Sequence, residues 1–223
     1  MDPPAFAGGE GTAALVLMGD DYSDPRNLEA RIAIHRYGTN PVPWYDFVRA
    51  RLPLSPGERV LDAGAGTGAL WEYDHGARLT LLDRSPAMRQ HVRGDVTRLP
   101  FRDAVFDGAV CNHVLYHVER PADGLRELRR VVRPGGWVAV ATNGMGHMRG
   151  WGADVHGAFP AERLGEAMAE VFDGVTLHPY EDTLVAPAEA VRAYVASFGE
   201  DPATVTGDGP VTIAKHTVLA VAR

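Results

Sequence analysis

Residues 60–68 read Val60-Leu61-Asp62-Ala63-Gly64-Ala65-Gly66-Thr67-Gly68. The apolar run is the end of a buried strand, and the alternating glycines are a turn into a helix. Glycine there adopts dihedrals closed to other residues and lets a ligand approach the main chain. Gly-rich strand-to-helix turns are where open α/β sheets bind nucleotide-like molecules. The stretch therefore sets the fold class and poses the question of which ligand.

The neighbouring acids narrow the answer. A dinucleotide turn needs Gly-x-Gly-x-x-Gly, with the helix N-terminus receiving a pyrophosphate. Here the spacing is Gly64-x-Gly66-x-Gly68, one residue shorter, with Asp62 just upstream. A carboxylate is a poor neighbour for phosphate and a good one for a cationic amine or hydroxyls. A second strand ends in Asp83, placed to accept from both hydroxyls of a ribose. Asp95 follows a third and can accept from an exocyclic adenine amine. The ligand has a ribose, an adenine and a cationic group but no phosphate. S-adenosyl-L-methionine has those parts.

Working outward, strands and helices alternate. Asp24-Pro25 is a helix start, with Asp as N-cap and Pro at N1; Leu28, Ile32, Ala33 and His35 follow at helical spacing to about Tyr37. Trp44, Phe47, Val48 and Leu52 form a second amphipathic stretch. Strands are expected at Arg59–Ala63, Arg78–Leu82, Gly94–Thr97, Val105–Asn112 and Trp137–Thr142. Between them lie a short helix from Ala69, one from Ser85-Pro86 to Val92, and one over Pro121–Val132 that Pro134-Gly135-Gly136 breaks. Such alternation means a mostly parallel sheet covered on both faces. In the tail, Ala161–Phe172 and Pro187–Phe198 read as helices. Val175–Leu184 and Val211–Ala222 are extended, an antiparallel pair for the sheet edge. Gly144–Gly157 reads as a mobile loop.

The bulk numbers fit one domain over 1–223, with 1–52 an N-terminal helical arm or cap and 53–223 the core. The apolar fraction is 45%, the charged fraction 23% and the net charge −7. That charge argues against a nucleic-acid binder, whose mark is a basic stripe. The lone cysteine, Cys111, allows no intrachain disulfide and reads as a packing thiol. No apolar run reaches the length of a membrane span, and the N-terminus has no basic flank for a signal peptide, so a cytoplasmic protein is expected, as monomer or homodimer. Lys215 is the only lysine, which reads as coding bias toward arginine.

From Val60 to Thr142 the chain resembles a class I S-adenosylmethionine-dependent methyltransferase of the Rossmann-like, small-molecule type. The likeness is carried by Val60–Gly68, Leu82-Asp83-Arg84-Ser85-Pro86-Ala87-Met88, Gly94-Asp95-Val96, Leu99-Pro100-Phe101, Phe106–Val110, Val114–Val118 and Arg133-Pro134-Gly135-Gly136. The resemblance implies a doubly wound, mostly parallel seven-stranded sheet with helices on both faces and an antiparallel strand at the C-terminal edge. It implies that Gly64, Gly66 and Gly68 shape the cofactor turn with Asp62 and Ala63 beside it, and that Asp83 holds the ribose. By the same likeness Arg84 and Met88 line the adenine, Asp95 and Val96 meet its edge, Asn112 and His113 approach the methionine portion, and Tyr37 closes over the cofactor. Similar enzymes often carry a longer lid between the fifth strand and the next helix. With only Asn143–Pro160 available, either the pocket is open or residues 1–50 cover it.

Methyl transfer from a sulfonium needs positioning and desolvation, and a base only if the acceptor must lose a proton. His113 and His117, just past the fourth strand, are the candidate bases, with Tyr116 beside them; His35 and His147 are further candidates. The separations of these four histidines match no compact metal motif, so no metal is expected. Trp44, Tyr45, Trp71, Trp151 and Phe159 are candidate walls for an apolar acceptor. The expected activity is methyl transfer to a small molecule, in a biosynthetic setting of the specialised kind, with neither nucleic acid nor membrane as partner. The alternatives are a non-methylating enzyme of the cyclase or decarboxylase kind that uses the same cofactor structurally, a non-catalytic binding subunit, and a nicotinamide oxidoreductase.

Overall fold

The computed structural model describes residues 22, 24–73, 75–148 and 159–223. The expectations for Trp151, for the arm before Tyr22 and for most of the Gly-rich loop fall outside them. Seven strands form one sheet: β1 (Arg59–Ala63), β2 (Arg78–Asp83), β3 (Val92–Arg93), β4 (Phe106–Asn112), β5 (Val132–Asn143), β6 (Thr176–Ala186) and β7 (Val211–Ala222). Their order is β3-β2-β1-β4-β5-β7-β6. Strands β1 to β5 pair in parallel. β7 runs antiparallel to both β5 and β6, so the expected antiparallel pair forms the far edge, with β7 the inner member. The order reverses between β1 and β4, and the crevice at that switch point lies beyond Ala63 and Asn112.

The central strands read as continuous apolar runs because both faces are covered. Helix α3 (Pro121–Val131) lays Leu125, Leu128 and Val131, all fully buried, on one face. α2 (Trp44–Arg49) sets Trp44, Phe47 and Val48 on the other, against Val60, Leu81, Val110 and Trp137. α4 (Ala161–Ala169) adds Leu164 and Met168 to the first face.

A third core sits above the carboxyl end of the sheet. β6 and β7 continue past the last β5 pair, Asn143 with Thr217, and bring Leu184, Ala186 and Ile213 out beyond it. There they meet Ile34 of a 3-10 turn (Ile34–Tyr37) that follows α1 (Pro25–Ala33), and Val191, Tyr194 and Val195 of α5 (Ala188–Ala196). Asp24 caps α1 through the amide of Arg26 at 2.9 Å, with Pro25 opening the helix. Buried Arg31 staples α1 to α5: its guanidinium donates to Ser197 Oγ at 3.2 Å and lies 3.9 Å over the Phe198 ring. Residues from the N-terminal segment and the tail thus pack together above this end of the sheet.

Three local expectations change. Ser85–Val92 is not a helix but a turn, because only Ala87 and Met88 offer an apolar stripe and backbone bonds tie the segment down. The Arg89 amide donates to Gly66 O at 2.8 Å and the His91 amide to Leu81 O at 2.7 Å. The third strand is Val92–Arg93, earlier than expected, and Gly94–Thr97 is the turn after it. Arg133–Gly136 does not separate helix from strand: β5 begins at Val132 and absorbs the glycines as an irregularity between the Phe106 and Gly108 pairings.

Candidate active site

The glycine turn is held from β2. Gly64, Gly66 and Gly68 have φ of 89°, 54° and 77°. The amides of Gly64 and Ala65 donate to Leu82 O at 2.7 and 3.0 Å. Asp83 completes the tie: Oδ2 accepts from the Gly66 amide and Oδ1 from the Ser85 amide, each at 2.9 Å. A carboxylate offers about four acceptor sites, so one on each oxygen remains for hydroxyls. At Gly64 a Cβ would lie 2.2 Å from Val114 Cγ2, so the turn and the segment after β4 touch at backbone range. Leu28 of α1 packs 3.1 Å from the Cβ position of Gly66, bringing the cap over the turn.

Asp62 lies beneath, 2% exposed. Trp71 Nε1–H donates to its Oδ2 at 2.7 Å, while Oδ1 is buried with no hydrogen-bond partner. Burial pushes its pKa to about 7, with a further push from the charge of Asp83 and opposition from the Trp71 bond. A buried acceptor without a donor is costly and marks a place where one is to arrive. Ala63 ends β1 beside it, fully buried.

The adenine candidates divide. Asp95 Oδ1 accepts from the amide and hydroxyl of Thr97 at 2.8 and 2.7 Å, shaping the turn after β3. Val96 and Met88 are buried, and Val96 belongs to the α3-side core. Arg84 is exposed, its carbonyl accepting from Arg93 Nε at 3.2 Å.

Past β4 the polar groups gather. Asn112 Oδ1 is buried without a partner. His113 has φ of 60°, in the left-handed region where a non-glycine residue is strained, and such strain clusters at functional sites. Its ring packs 5.3 Å from Trp44, its Nδ1 is buried without a hydrogen-bond partner, and its pKa lies well below the ordinary value. Burial is the main cause, followed by the positive charges of Lys215, His147 and His117. His117 closes a 3-10 turn (Leu115–His117), and its Nε2 shares a 3.0 Å hydrogen bond with the Tyr22 hydroxyl. His35 is likewise held neutral by burial and by Lys215, with His147 6.2 Å away ring to ring.

Tyr37 packs into the cap core rather than against the glycine turn. Tyr22 is the aromatic that lies between the turn after β2 and the turn after β4: its carbonyl accepts from Ser85 Oγ at 2.7 Å and its hydroxyl meets His117; nothing in the local pattern marked it out. Of the wall candidates, Trp44, Trp71 and Phe159 are all core residues, and Trp44 is the one whose ring also packs against His113. Tyr45 is half-buried against the α2-side core. Cys111 is fully buried and its thiol pKa is raised by that burial, as a packing thiol requires. Lys215, read as coding bias, is buried beside Trp44 and Tyr180. Its one legible signal was alternation along β7, which puts Ile213, Lys215 and Thr217 on one face. Among the described residues no group of three His, Cys, Asp or Glu side chains is placed to hold a metal ion, and no helix is long and apolar enough to cross a membrane.

Residues 61–140 match the family model described as "Methyltransferase domain". The chain is 34% identical over 164 residues to a demethylmenaquinone methyltransferase of Mycolicibacterium gilvum, covering 68% of each chain. It is 35% identical over 177 residues to a malonyl-[acyl-carrier protein] O-methyltransferase of Pseudescherichia vulneris, covering 73% of this chain and 64% of that one. Its fold resembles that of Haemonchus contortus phosphoethanolamine N-methyltransferase 2, solved with S-adenosylhomocysteine, at a TM-score of 0.61 and 14% identity, covering 89% and 57% of the two chains. It also resembles the [4+2]-cyclase SpnF, at 0.54 and 21%, covering 80% and 79%. The glycine turn, the switch-point crevice and these relatives give one answer: the chain belongs to the class I S-adenosylmethionine-dependent methyltransferases.

Proposed function

We propose that the acceptor is a small molecule and that the reaction belongs to a biosynthetic, specialised pathway in the cytoplasm, carried out by a monomer or homodimer without nucleic acid. The single observation that carries the cofactor's placement is the buried, partnerless Oδ1 of Asp62 beneath the glycine turn. It is an anionic acceptor awaiting a cationic donor, and the ammonium of the methionine portion is that donor. The free lone pairs of Asp83 take the ribose hydroxyls, and Asn112 Oδ1 is a second acceptor for the methionine end. Met88, Asp95 and Val96 form the adenine side.

When bound, S-adenosylmethionine supplies a methyl group already activated on a sulfonium. Transfer would form one bond to that carbon and break its bond to sulfur, which would keep the electron pair. The protein's work is to align the acceptor and keep water out. Trp44 forms the apolar wall next to His113. If the reacting atom is a hydroxyl, its proton passes to His113 Nδ1, which burial keeps unprotonated and open. His117, engaged by Tyr22, positions the lip. The names of the curated relatives, both small-molecule or carrier-bound acceptors of biosynthesis, support this reading, as does the acidic net charge of −7.

Calorimetry with S-adenosylhomocysteine tests it. Wild type is expected to bind, Asp83→Ala to bind at least about tenfold more weakly through loss of charge-assisted bonds, and NAD(P) not to bind. Wild type that binds neither S-adenosylmethionine nor its product overturns the cofactor placement.

A further inference from the structure

Three buried polar atoms around His113 have no hydrogen-bond partner among the described residues: Nδ1 of His113, Nδ1 of His35 and the indole Nε1–H of Trp44. The cofactor placement above employs none of them. They come from three separate elements. Trp44 opens α2, His35 lies in the 3-10 turn of the cap, and His113 follows the last residue of β4. The Trp44 and His113 rings pack 5.3 Å apart, and His35 stands near enough to feel the charge of His113. The next residue in the chain, Val114, crowds the glycine turn at Gly64, which sets the group beside the cofactor end of the sheet. His35 and His113 are only half-buried, so part of each ring stays open to solvent.

Their neighbours are committed elsewhere. His147 Nδ1 meets His216 O at 3.1 Å, and His117 Nε2 is engaged by Tyr22. Trp71 and Trp137 give their indole N–H groups to Asp62 and Glu58 at 2.7 and 3.1 Å. Lys215, 5.5 Å from the Trp44 ring, has its counter-charge in Asp182, opposite it across the β6–β7 hairpin. Burial first, and Lys215 next, hold His35 and His113 neutral. The group therefore offers hydrogen bonds and no unanswered charge. A buried donor left unpaired is costly, so these atoms call for a ligand that pairs them. Indole only donates, whereas a neutral imidazole nitrogen donates or accepts according to its tautomer. A hydroxyl fits that set: its proton faces one imidazole nitrogen, and its two lone pairs accept from the indole and from the other imidazole. A carboxylate or a phenolate has no proton to give and finds no free cation.

We propose that Trp44, His113 and His35 form the subsite for the methyl-accepting group, and that this group is a neutral hydroxyl, held by Trp44 Nε1–H with its proton toward His113 Nδ1. The proposal rests on the cofactor placement above for the side from which the methyl group comes. It makes Trp44 a hydrogen-bonding specificity residue as well as a wall, and it brings His35, which the mechanism does not otherwise use, into contact with the acceptor. The strained backbone of His113 is the matching cost on the protein's side, since it holds the ring against Trp44.

The test compares matched probes by ligand-observed NMR, with and without S-adenosylhomocysteine. Phenol and toluene share a shape and differ in the hydroxyl, and benzoate carries a charge. Phenol is expected to bind roughly tenfold more tightly than either, as a hydrogen bond on each side of the hydroxyl provides. Trp44→Phe keeps an aromatic ring but removes the N–H, and should cut the phenol-to-toluene ratio to about threefold; His35→Phe should lower it likewise, and His113→Leu should bring it near one. The ratio is read because a merely structural loss weakens both probes alike. Should Trp44→Phe unfold, the wild type decides: its Trp44 indole proton resonance must move downfield with phenol and stay in place with toluene. A wild-type ratio near one, benzoate binding as tightly as phenol, no binding of any probe, or a ratio unchanged in Trp44→Phe overturns the proposal. S-adenosylhomocysteine binding is read separately by calorimetry. Its failure overturns the cofactor placement alone, because the probe ratio on the protein without it still reads the hydroxyl subsite.

Discussion

Asp62→Asn should make the apoprotein more stable and the cofactor complex weaker, and both effects follow from one atom. In the folded state burial holds the carboxyl pKa at about 7, against 3.8 ordinarily. The native state therefore binds the proton more tightly than the unfolded chain. Stability from this group is present at low pH and is lost as pH rises through the window from about 4 to about 7. At 1.36 kcal/mol per unit the full loss is about 4 kcal/mol. Asparagine keeps an acceptor for Trp71 but puts an amide where Oδ1 lacked a partner, so about half of that is expected back. For a domain of this size that is roughly 5 °C in melting temperature at about pH 8, and little below about pH 5. Binding moves the other way. An ammonium donor requires the carboxylate, about 9% populated at pH 6.0 and about 76% at pH 7.5 for a group titrating near 7, so S-adenosylhomocysteine should bind about eightfold more weakly at the lower pH. Calorimetry at both pH values, on wild type and on Asp62→Asn, reads the slope and its disappearance. A wild-type affinity flat over this range, or a variant no more stable at pH 8, refutes the assignment of the ammonium to Oδ1.

Gly57 and Gly64 both have positive φ, but only Gly64 is crowded, so Gly64→Ala should cost several kcal/mol and Gly57→Ala about 1 kcal/mol in chemical denaturation. Tyr22→Phe removes the partner of His117 Nε2 and should raise the dissociation rate of S-adenosylhomocysteine about fivefold by stopped flow, with the melting temperature nearly unchanged. Arg31→Met breaks the α1–α5 staple while keeping most of the stem's packing; thermal unfolding should show a loss of about 2 kcal/mol. Cys111 should resist a thiol reagent at about pH 8 until the protein is unfolded, since thiolate formation needs the exposure that burial denies.

What the sequence disclosed follows from where the signal is local. The turn at Gly64–Gly68 and the acids ending β1 and β2 are set by short-range steric and hydrogen-bonding demands, so spacing alone placed Asp62 and Asp83 together. Helix α3 was legible because its buried stripe is continuous. The Ser85–Val92 turn was not, because long-range bonds from His91 to Leu81 and from Arg89 to Gly66 override a local N-terminal signal. The cap was legible in its N-terminal half, read as an arm or cap over 1–52, but its union with α5 and the β6–β7 hairpin was not. It joins segments about 150 residues apart, and its staple is a buried arginine, which periodicity scores as solvent-facing.

The site's charge layout explains why its two halves differed in legibility. Asp62 and Asp83 line the β1–β2 side, at the ends of strands that are successive in sequence. Bases line the cap side, contributed singly by α1's end, by the residue after β4, by the loop after β5 and by β7. His113 stands at the border, strained at φ 60°, its amide tied to Ala141 O at 3.0 Å and its ring against Trp44. Relaxing it into a β conformation would swing the ring off Trp44 and open the acceptor side to water, so the strain is sustained by β5 behind and the cap above.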